Sequence, residues 1–308
     1  PSLDALLSRY FETLDQRIRR DFEGELWNRD VRKRLSINPL LSCFVDDCLA
    51  RGLDIEHGGA KYNWIMPSFV GIGNLVDSLA AIRALVFEEK RLSLCQFKAI
   101  LEDNYAKNED LQQYILNKLP KYGNDIDRVD ALFSVITEHI TEFCKTQASQ
   151  ILPNTALIPS AFCWIMHEQF GNHTAATPDG RPAGFPLGDG SGPCQGREQN
   201  GPTASILSST KWDHSPLIGG VAVNMKFAKS SLGANSMATL VALVKTFLQR
   251  GGFETQINIV DNETLKKAQK DPESYRDLVV RIGGYSDYFI KLSPQMQAEV
   301  ILRTAHKI

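Results

Sequence analysis

Between Ser2 and about Leu35 apolar residues recur through Leu6, Leu7, Tyr10, Phe11, Leu14 and Ile18, and the positions between them are mostly charged. That period and single apolar stripe predict a long amphipathic helix. Asn38 followed by Pro39 supplies a cap and a first-turn proline, predicting a second helix to about Ala50. Helical periodicity also predicts helices over 69–87, 93–103, 109–118, 126–147, 234–249 and 294–305. Strand-like runs fall at 158–166 (IPSAFCWIM), 219–227 (GGVAVNMKF), 254–260 (ETQINIV) and 278–283 (LVVRIG). The chain therefore reads as a mainly helical region over 1–150, followed by a strand-helix region over 151–308. This alternation predicts an α/β protein whose strands are buried and helix-covered. From about Gly171 to Pro202 no period holds, and Gly and Pro are frequent. Loops of that length inside a compact protein are uncommon and often functional.

Composition narrows the function classes. Lys and Arg (34) nearly balance Asp and Glu (36), leaving a formal charge of -2 on 308 residues, so no global field draws the chain to nucleic acid or an anionic membrane. The basic residues Arg17 to Arg34 are interleaved with Asp15, Asp21, Glu23, Glu25 and Asp30, the pattern of a solvated helix face. Ser68 to Phe87 is the most apolar long run, yet it contains Asn74, Asp77 and Arg83, which are costly at the centre of a bilayer. The front of the chain carries no signal-peptide pattern, and the six cysteines form no CxxC pair, which predicts reduced thiols in the cytoplasm. The sequence starts at Pro1, consistent either with a removed methionine or with a piece of a longer polypeptide.

Ordinary chemistry finds little foothold. Pro178-Asp179-Gly180 is turn chemistry. Gly188, Gly190 and Gly192 alternate as in a phosphate cradle, but no Gly-Lys-Ser/Thr follows. His167 and His173 lack metal-pair spacing and a completing ligand set, which makes structural histidines of them and predicts no metal site. Ser208-Ser209 has no nucleophile-elbow glycines. Cys163, between Phe162 and Trp164 in an apolar run, reads as a buried, inert thiol.

What remains is VVRIGGYSDYF, Val279 to Phe289, where a β-branched run is interrupted by Gly283 and Gly284 directly before Tyr285. A glycine pair there signals a bend, a close backbone approach or a need for an α-carbon without a side chain. Taken in order with GGAKYNW (58–64), KYGND (121–125), TPDGRPAGFPLGDG (177–190), GPTA (201–204), NMKF (224–227), QINIVD (256–261) and RTAH (303–306), this sequence resembles the glycyl radical enzymes. That superfamily includes pyruvate formate-lyase, the glycerol and propanediol dehydratases and choline trimethylamine-lyase.

The resemblance implies that Gly284 stores the radical. A radical at the α-carbon is stabilised by donation from the amide nitrogen and withdrawal by the carbonyl. That requires a planar centre, which a Cβ would hinder. Gly283 is then a flexible bend. Arg281 and Tyr285 flank the site and are candidates for recognition by a separate activating enzyme, a radical S-adenosylmethionine iron-sulfur protein; the alternatives are an ion pair for Arg281 and a packed anchor for Tyr285. Phe162 and Trp164, on one face of the expected strand, are candidates for the substrate pocket or for core packing. No cofactor is expected to be bound in this chain. The family passes its radical to a cysteine, written Cys-x-Glu in dehydratase-like members, and no cysteine here fits that pattern.

The implied whole is the C-terminal portion of such an enzyme. It is the second half of a ten-stranded α/β barrel with a glycine radical domain from about 185 to 308, and it is silent without the missing N-terminal portion. The implied function is a dehydratase-type radical lyase acting on a small polar alcohol. Formate acetyltransferase and a non-catalytic radical-bearing spare-part module are the alternatives. The implied partners are the activase, a small-molecule substrate and a second copy in a homodimer, with no nucleic acid or membrane.

Overall fold

The computed structural model describes residues 2–151 and 155–307. The expected boundary between 150 and 151 abuts residues 152–154, which lie outside that set. Contacts divide the chain into two compact units, Pro1–Pro67 with His139–Ile158, and Ser68–Glu138 with Pro159–Ile308.

The first unit is built on the predicted long helix, Leu3–Leu35, opened by the Ser2 side chain accepting from the Ala5 amide. Its Ile18 and Phe22 are buried, and its outer surface carries ion pairs such as Arg9–Glu12 and Arg17–Asp21, the solvated face read from the charge pattern. His139 stacks on Phe11 at 3.8 Å and shares a 2.8 Å hydrogen bond with Asp15. The helix expected from Pro39 to Ala50 is instead two single turns, Pro39–Ser42 and Cys48–Arg51. Asp47 between them adopts φ 72°, which no helix interior allows. Asp54 draws the turn together, with Oδ2 accepting from the Asn38 amide and from Ser42 Oγ, both at 2.8 Å. Strands β1 (Asn63–Ile65) and β2 (Thr155–Leu157) pair in parallel.

In the second unit, β3 (Ala222–Phe227) and β4 (Glu254–Ile259) are parallel and joined through the helix Ser236–Gln249, close to the predicted bounds. After β4 come the helix Asn262–Lys270, a hairpin of β5 (Val279–Arg281) and β6 (Ser286–Tyr288), the helix Pro294–Leu302, and β7 (Ala305–His306), which pairs with β3. The short sheet thus runs β4-β3-β7, an α/β arrangement with a helical N-terminal region as expected. The predicted helices at 93–103 and 109–118 appear as Leu94–Glu102 and Glu109–Lys118, the first opened by a Ser93/Gln96 capping box. The helix at 69–87 begins at Ile72 and turns π-helical from Arg83. The helix Asp127–Ile151 extends past 147, and Pro294–Leu302 stops short of 305, giving way to β7.

The strand expected over 158–166 does not form. Only isolated bridges occur there, Ser160 to Ser68 and Ala161 to Val221. The chain then reverses through Trp164, at φ 48°, into the helix Met166–Asn172. From 173 to 200 there is neither helix nor strand. That long segment is knotted instead by Arg181, 2 % exposed, whose guanidinium donates to the carbonyls of Thr174, Ala175, Pro182 and Phe185. Such multiple donation is what a rigid fork of five N–H groups provides. The predicted Pro178-Asp179-Gly180 turn closes with the Gly180 amide donating to the Thr177 carbonyl at 3.0 Å. Gly190 lies so close to β3 that a Cβ would sit 2.4 Å from the Ala222 carbonyl oxygen, so this glycine serves packing against a strand. Among the described residues no helix is long and apolar enough to cross a membrane.

Candidate active site at the Gly283-Gly284 hairpin

The hairpin pairs Val279 with Tyr288, Val280 with Asp287 and Arg281 with Ser286, and its tip closes with the Ile282 amide donating to the Tyr285 carbonyl at 2.9 Å. Val280, Ile282 and Phe289 are buried in one cluster with Val260, Leu265, Met296 and Val300, and Tyr285 packs against it. Burying each such side chain contributes about 1.5–3 kcal/mol, so the arms are fixed while the glycines carry no apolar anchor of their own. Tyr285 is therefore seated as a packed loop anchor.

Both glycines are required by geometry. Gly284 has φ 89°, and a Cβ built on it would lie 2.9 Å from Phe162 Cε2 and 3.3 Å from Trp164 Cδ1. A Cβ on Gly283 would lie 2.9 Å from the Trp164 carbonyl oxygen, so this residue serves a close backbone approach rather than a free bend. Phe162 and Trp164 thus meet at Gly284. The expectation that they share one face of a strand fails, because the left-handed turn at Trp164 ends any strand geometry there. Their rings stand edge to face at 6.3 Å, and Trp164 is 63 % exposed.

The peptide atoms of Gly284 are held on both sides. Its N–H donates to Gln256 Oε1 at 3.0 Å, and its carbonyl accepts from Arg281 Nη2 at 3.2 Å. Arg281 also donates from Nε to the same Gln256 oxygen at 3.0 Å and from Nη1 to Ser286 Oγ at 3.4 Å. Among the described residues these partners are neutral and Arg281 has no carboxylate, so the ion-pair alternative for it fails. The backbone of Arg281 is in turn clamped by Asn258, whose Oδ1 accepts from the amide and whose Nδ2 donates to the carbonyl, both at 2.7 Å. Asn258 imitates a neighbouring strand and fastens the base of the hairpin to β4.

A buried charged layer lies beneath. Arg303 donates from Nη1 to the Arg281 carbonyl at 3.2 Å, from Nε to Glu299 at 3.0 Å, and stands 3.5 Å from Asp189. Asp189 accepts from Asn224, which lies opposite Gln256 in the β3–β4 register. Burial is the largest influence on Glu299 and acts to raise its pKa, but the Arg303 guanidinium, His167 and hydrogen bonds from Arg303 and Gln195 outweigh it and hold the carboxyl below its usual range. Nearby, burial pushes Glu198 up to about 7 against a hydrogen bond from Thr304.

Gln256, Asn258 and Arg303 belong to QINIVD and RTAH, but nothing in their one-dimensional pattern assigned them these roles. The available signal was Gln256 and Asn258 at alternate positions of one strand, which places two amides on one face; both are buried. Cys163 is buried as expected, with its thiol pushed up to about 12 by burial and its sulfur 3.6 Å from His167 Nδ1, so it is not a thiolate nucleophile. Asp125, Asp127 and Asp130 cluster closely enough to suggest a cation, but Lys211 Nζ already sits 2.6–2.9 Å from all three.

Two family models match this chain, pyruvate formate lyase-like over residues 1–171 and glycine radical over 187–290. Among curated proteins, the chain is 39% identical to the probable dehydratase YbiW of Escherichia coli over 87% of this chain and 34% of that protein. It is 34% identical to trans-4-hydroxy-L-proline dehydratase of Clostridioides difficile over 98% and 38%. It is 39% identical to isethionate sulfite-lyase of Bilophila wadsworthia over 77% and 29%. The chain spans about a third of the length of these relatives. The glycerol-bound glycerol dehydratase of Clostridium butyricum superposes with a TM-score of 0.93 at 33% identity, covering 100% of this chain and 39% of that one. The hydroxyproline dehydratase of Clostridioides difficile gives 0.95 at 33% identity with the same coverage. With the first model matching more than half its length and the second enclosing the Gly283-Gly284 hairpin, this chain belongs to the pyruvate formate lyase-like glycyl radical enzymes.

Proposed function

We propose that this chain is the radical-bearing portion of a glycyl radical lyase of the dehydratase type, with Gly284 as the radical store and a small polar alcohol as substrate. The observation that carries the reading is the construction around Gly284: positive φ, no room for a Cβ, and a peptide hydrogen-bonded at both its nitrogen and its oxygen. Hydrogen loss from that α-carbon flattens it, and a residue with no Cβ becomes planar without a new clash against Phe162 or Trp164. Further support comes from the relatives, which are named as dehydratases and a sulfite-lyase.

On this reading the hydrogen-abstracting thiol is supplied from outside the chain. Cys163, the cysteine adjoining the Phe162 and Trp164 rings, is buried and lacks the Cys-x-Glu context. The chain then forms one half of the family's ten-stranded barrel, needs a separate activating enzyme, and is silent without the other half. The test is turnover of the full-length protein, activated anaerobically, on a panel of glycerol, propanediol, hydroxyproline and isethionate. Loss of water or sulfite from a panel member is the expected result. Formation of acetyl-coenzyme A and formate from pyruvate and coenzyme A, with no elimination, would assign the acyltransferase reaction instead.

A further inference from the structure

We infer that Gln256 and Arg281 act as a matched pair that sets the electronic character of the radical at Gly284, one on its amide nitrogen and one on its carbonyl oxygen. The inference rests on Gly284 being the radical residue. Spin at a peptide α-carbon is stabilised when the nitrogen donates electron density and the carbonyl withdraws it. An acceptor on the N–H makes the nitrogen a better donor, and a cation on the carbonyl oxygen makes the carbonyl a better acceptor. Gly284 has both partners: Gln256 Oε1 at 3.0 Å from its nitrogen and Arg281 Nη2 at 3.2 Å from its oxygen. The two hydrogen bonds therefore push and pull in the same direction.

The arrangement is not adjustable by a simple amide flip. Gln256 faces two groups that can only donate, the Gly284 N–H and Arg281 Nε at 3.0 Å, so its oxygen must point at them. Its Nε2 is turned away to Glu254 Oε1 at 2.7 Å, which fixes the same orientation from the other side. Gln256 is 5 % exposed and Arg281 is half-buried, so both bonds act where water screens them little. The bond from Arg281 is charge-assisted, the stronger kind. Asn258 and Arg303 hold the Arg281 backbone and so aim its guanidinium at the glycine. Gln256 and Arg281 touch the atoms over which the spin spreads, whereas Asn258 and Arg303 are positioning residues.

The test uses the full-length protein activated anaerobically, comparing the parent with Gln256→Met, Arg281→Met and Arg281→Lys, and Gly284→Ala as the control for assignment. Spin yield reports activation, so it is recorded separately from two properties of whatever radical forms. The first is the g-tensor at high field, which responds to hydrogen bonding at the carbonyl oxygen. The second is the rate of quenching by added dithiothreitol, in which the sulfur gives up its hydrogen atom to the α-carbon, breaking S–H, forming C–H and leaving the unpaired electron on sulfur. Arg281→Met is expected to raise the largest g component and Arg281→Lys to return it part of the way. Each methionine variant is expected to quench about tenfold faster, the equivalent of ~1.4 kcal/mol of lost stabilisation. Radicals with the parent's g-tensor and quenching rate would overturn the inference. Methionine variants that form no radical would overturn it too, by assigning the pair to activase docking or loop structure. A parent whose spectrum lacks a Gly284-dependent signal would remove the function reading itself, a distinct outcome.

Discussion

Arg303 is the residue whose loss the charged layer beneath the hairpin should tolerate least. Arg303→Met keeps most of the buried stem but leaves Glu299, fully buried, and Asp189, 6 % exposed, without their cation. Glu299 retains one hydrogen bond from Gln195 at 2.9 Å, and Asp189 retains that from Asn224. Breaking a buried pair by removing one partner costs about 3–5 kcal/mol, and the surviving hydrogen bonds favour the lower end, about 3 kcal/mol. The loss also depends on pH. In the parent the Glu299 pKa is depressed, so its stabilisation is present above the unfolded value of about 4.3 and fades as pH falls. In the variant only His167 and the Gln195 hydrogen bond still oppose burial, which then raises that pKa, so stability is lost as pH rises through the folded value. The deficit must therefore widen from acid to neutral pH. Urea titrations of the full-length parent and variant at about pH 5 and about pH 8 measure it. Adding Glu299→Gln to Arg303→Met should recover part of the loss at the higher pH. A deficit below about 1 kcal/mol, equal at both pH values, would show that Glu299 and Asp189 do not depend on Arg303 for their charge.

Three further outcomes follow from neighbouring groups. Glu198, raised to about 7 by burial, contributes stability below about pH 4.5 that is lost as pH rises through the folded value, so Glu198→Gln should flatten the decline between those limits by about 3 kcal/mol; an unchanged pH profile by urea titration would contradict it. Asn258→Ala orphans the Arg281 amide, at about 2 kcal/mol, and should speed its hydrogen exchange by roughly thirtyfold; parental protection would show that Asn258 does not clamp the hairpin. Cys163, 7 % exposed with its thiol pushed up to about 12, should resist iodoacetamide in the native protein and react once denatured; native labelling as fast as that of exposed Cys95 would count against a buried, protonated thiol.

What the sequence made legible, and what it hid, follows from the range of the interactions concerned. Strands β3 and β4 were readable because AVNMKF and ETQINI carry strand-forming apolar residues at alternate positions. The first helix was readable from its stripe and its interleaved charges. The helix from Pro39 was not, because Asp54, whose carboxylate holds the first of its two turns, lies beyond it in sequence. IPSAFCWIM looked like a strand because its composition is that of one. Its path is set by the glycines of the hairpin, to which Phe162 and Trp164 present ring edges and a backbone carbonyl from more than a hundred residues away. Gly284 could be found by its motif, since a glycine pair within a β-branched run is locally anomalous. Gln256 and Arg281 could not be assigned as its hydrogen-bond partners, because only the alignment of β4 with the hairpin brings them to one residue.

The most direct test of the account is electron paramagnetic resonance of the full-length protein, incubated anaerobically with a radical S-adenosylmethionine activating enzyme, S-adenosylmethionine and a reductant, alongside Gly284→Ala and Gly283→Ala. A doublet is expected in the parent, split by the single remaining α-hydrogen, with its loss in Gly284→Ala. A doublet that persists in Gly284→Ala and disappears in Gly283→Ala would move the radical one residue back. No signal in a folded, correctly docked parent would contradict the central claim.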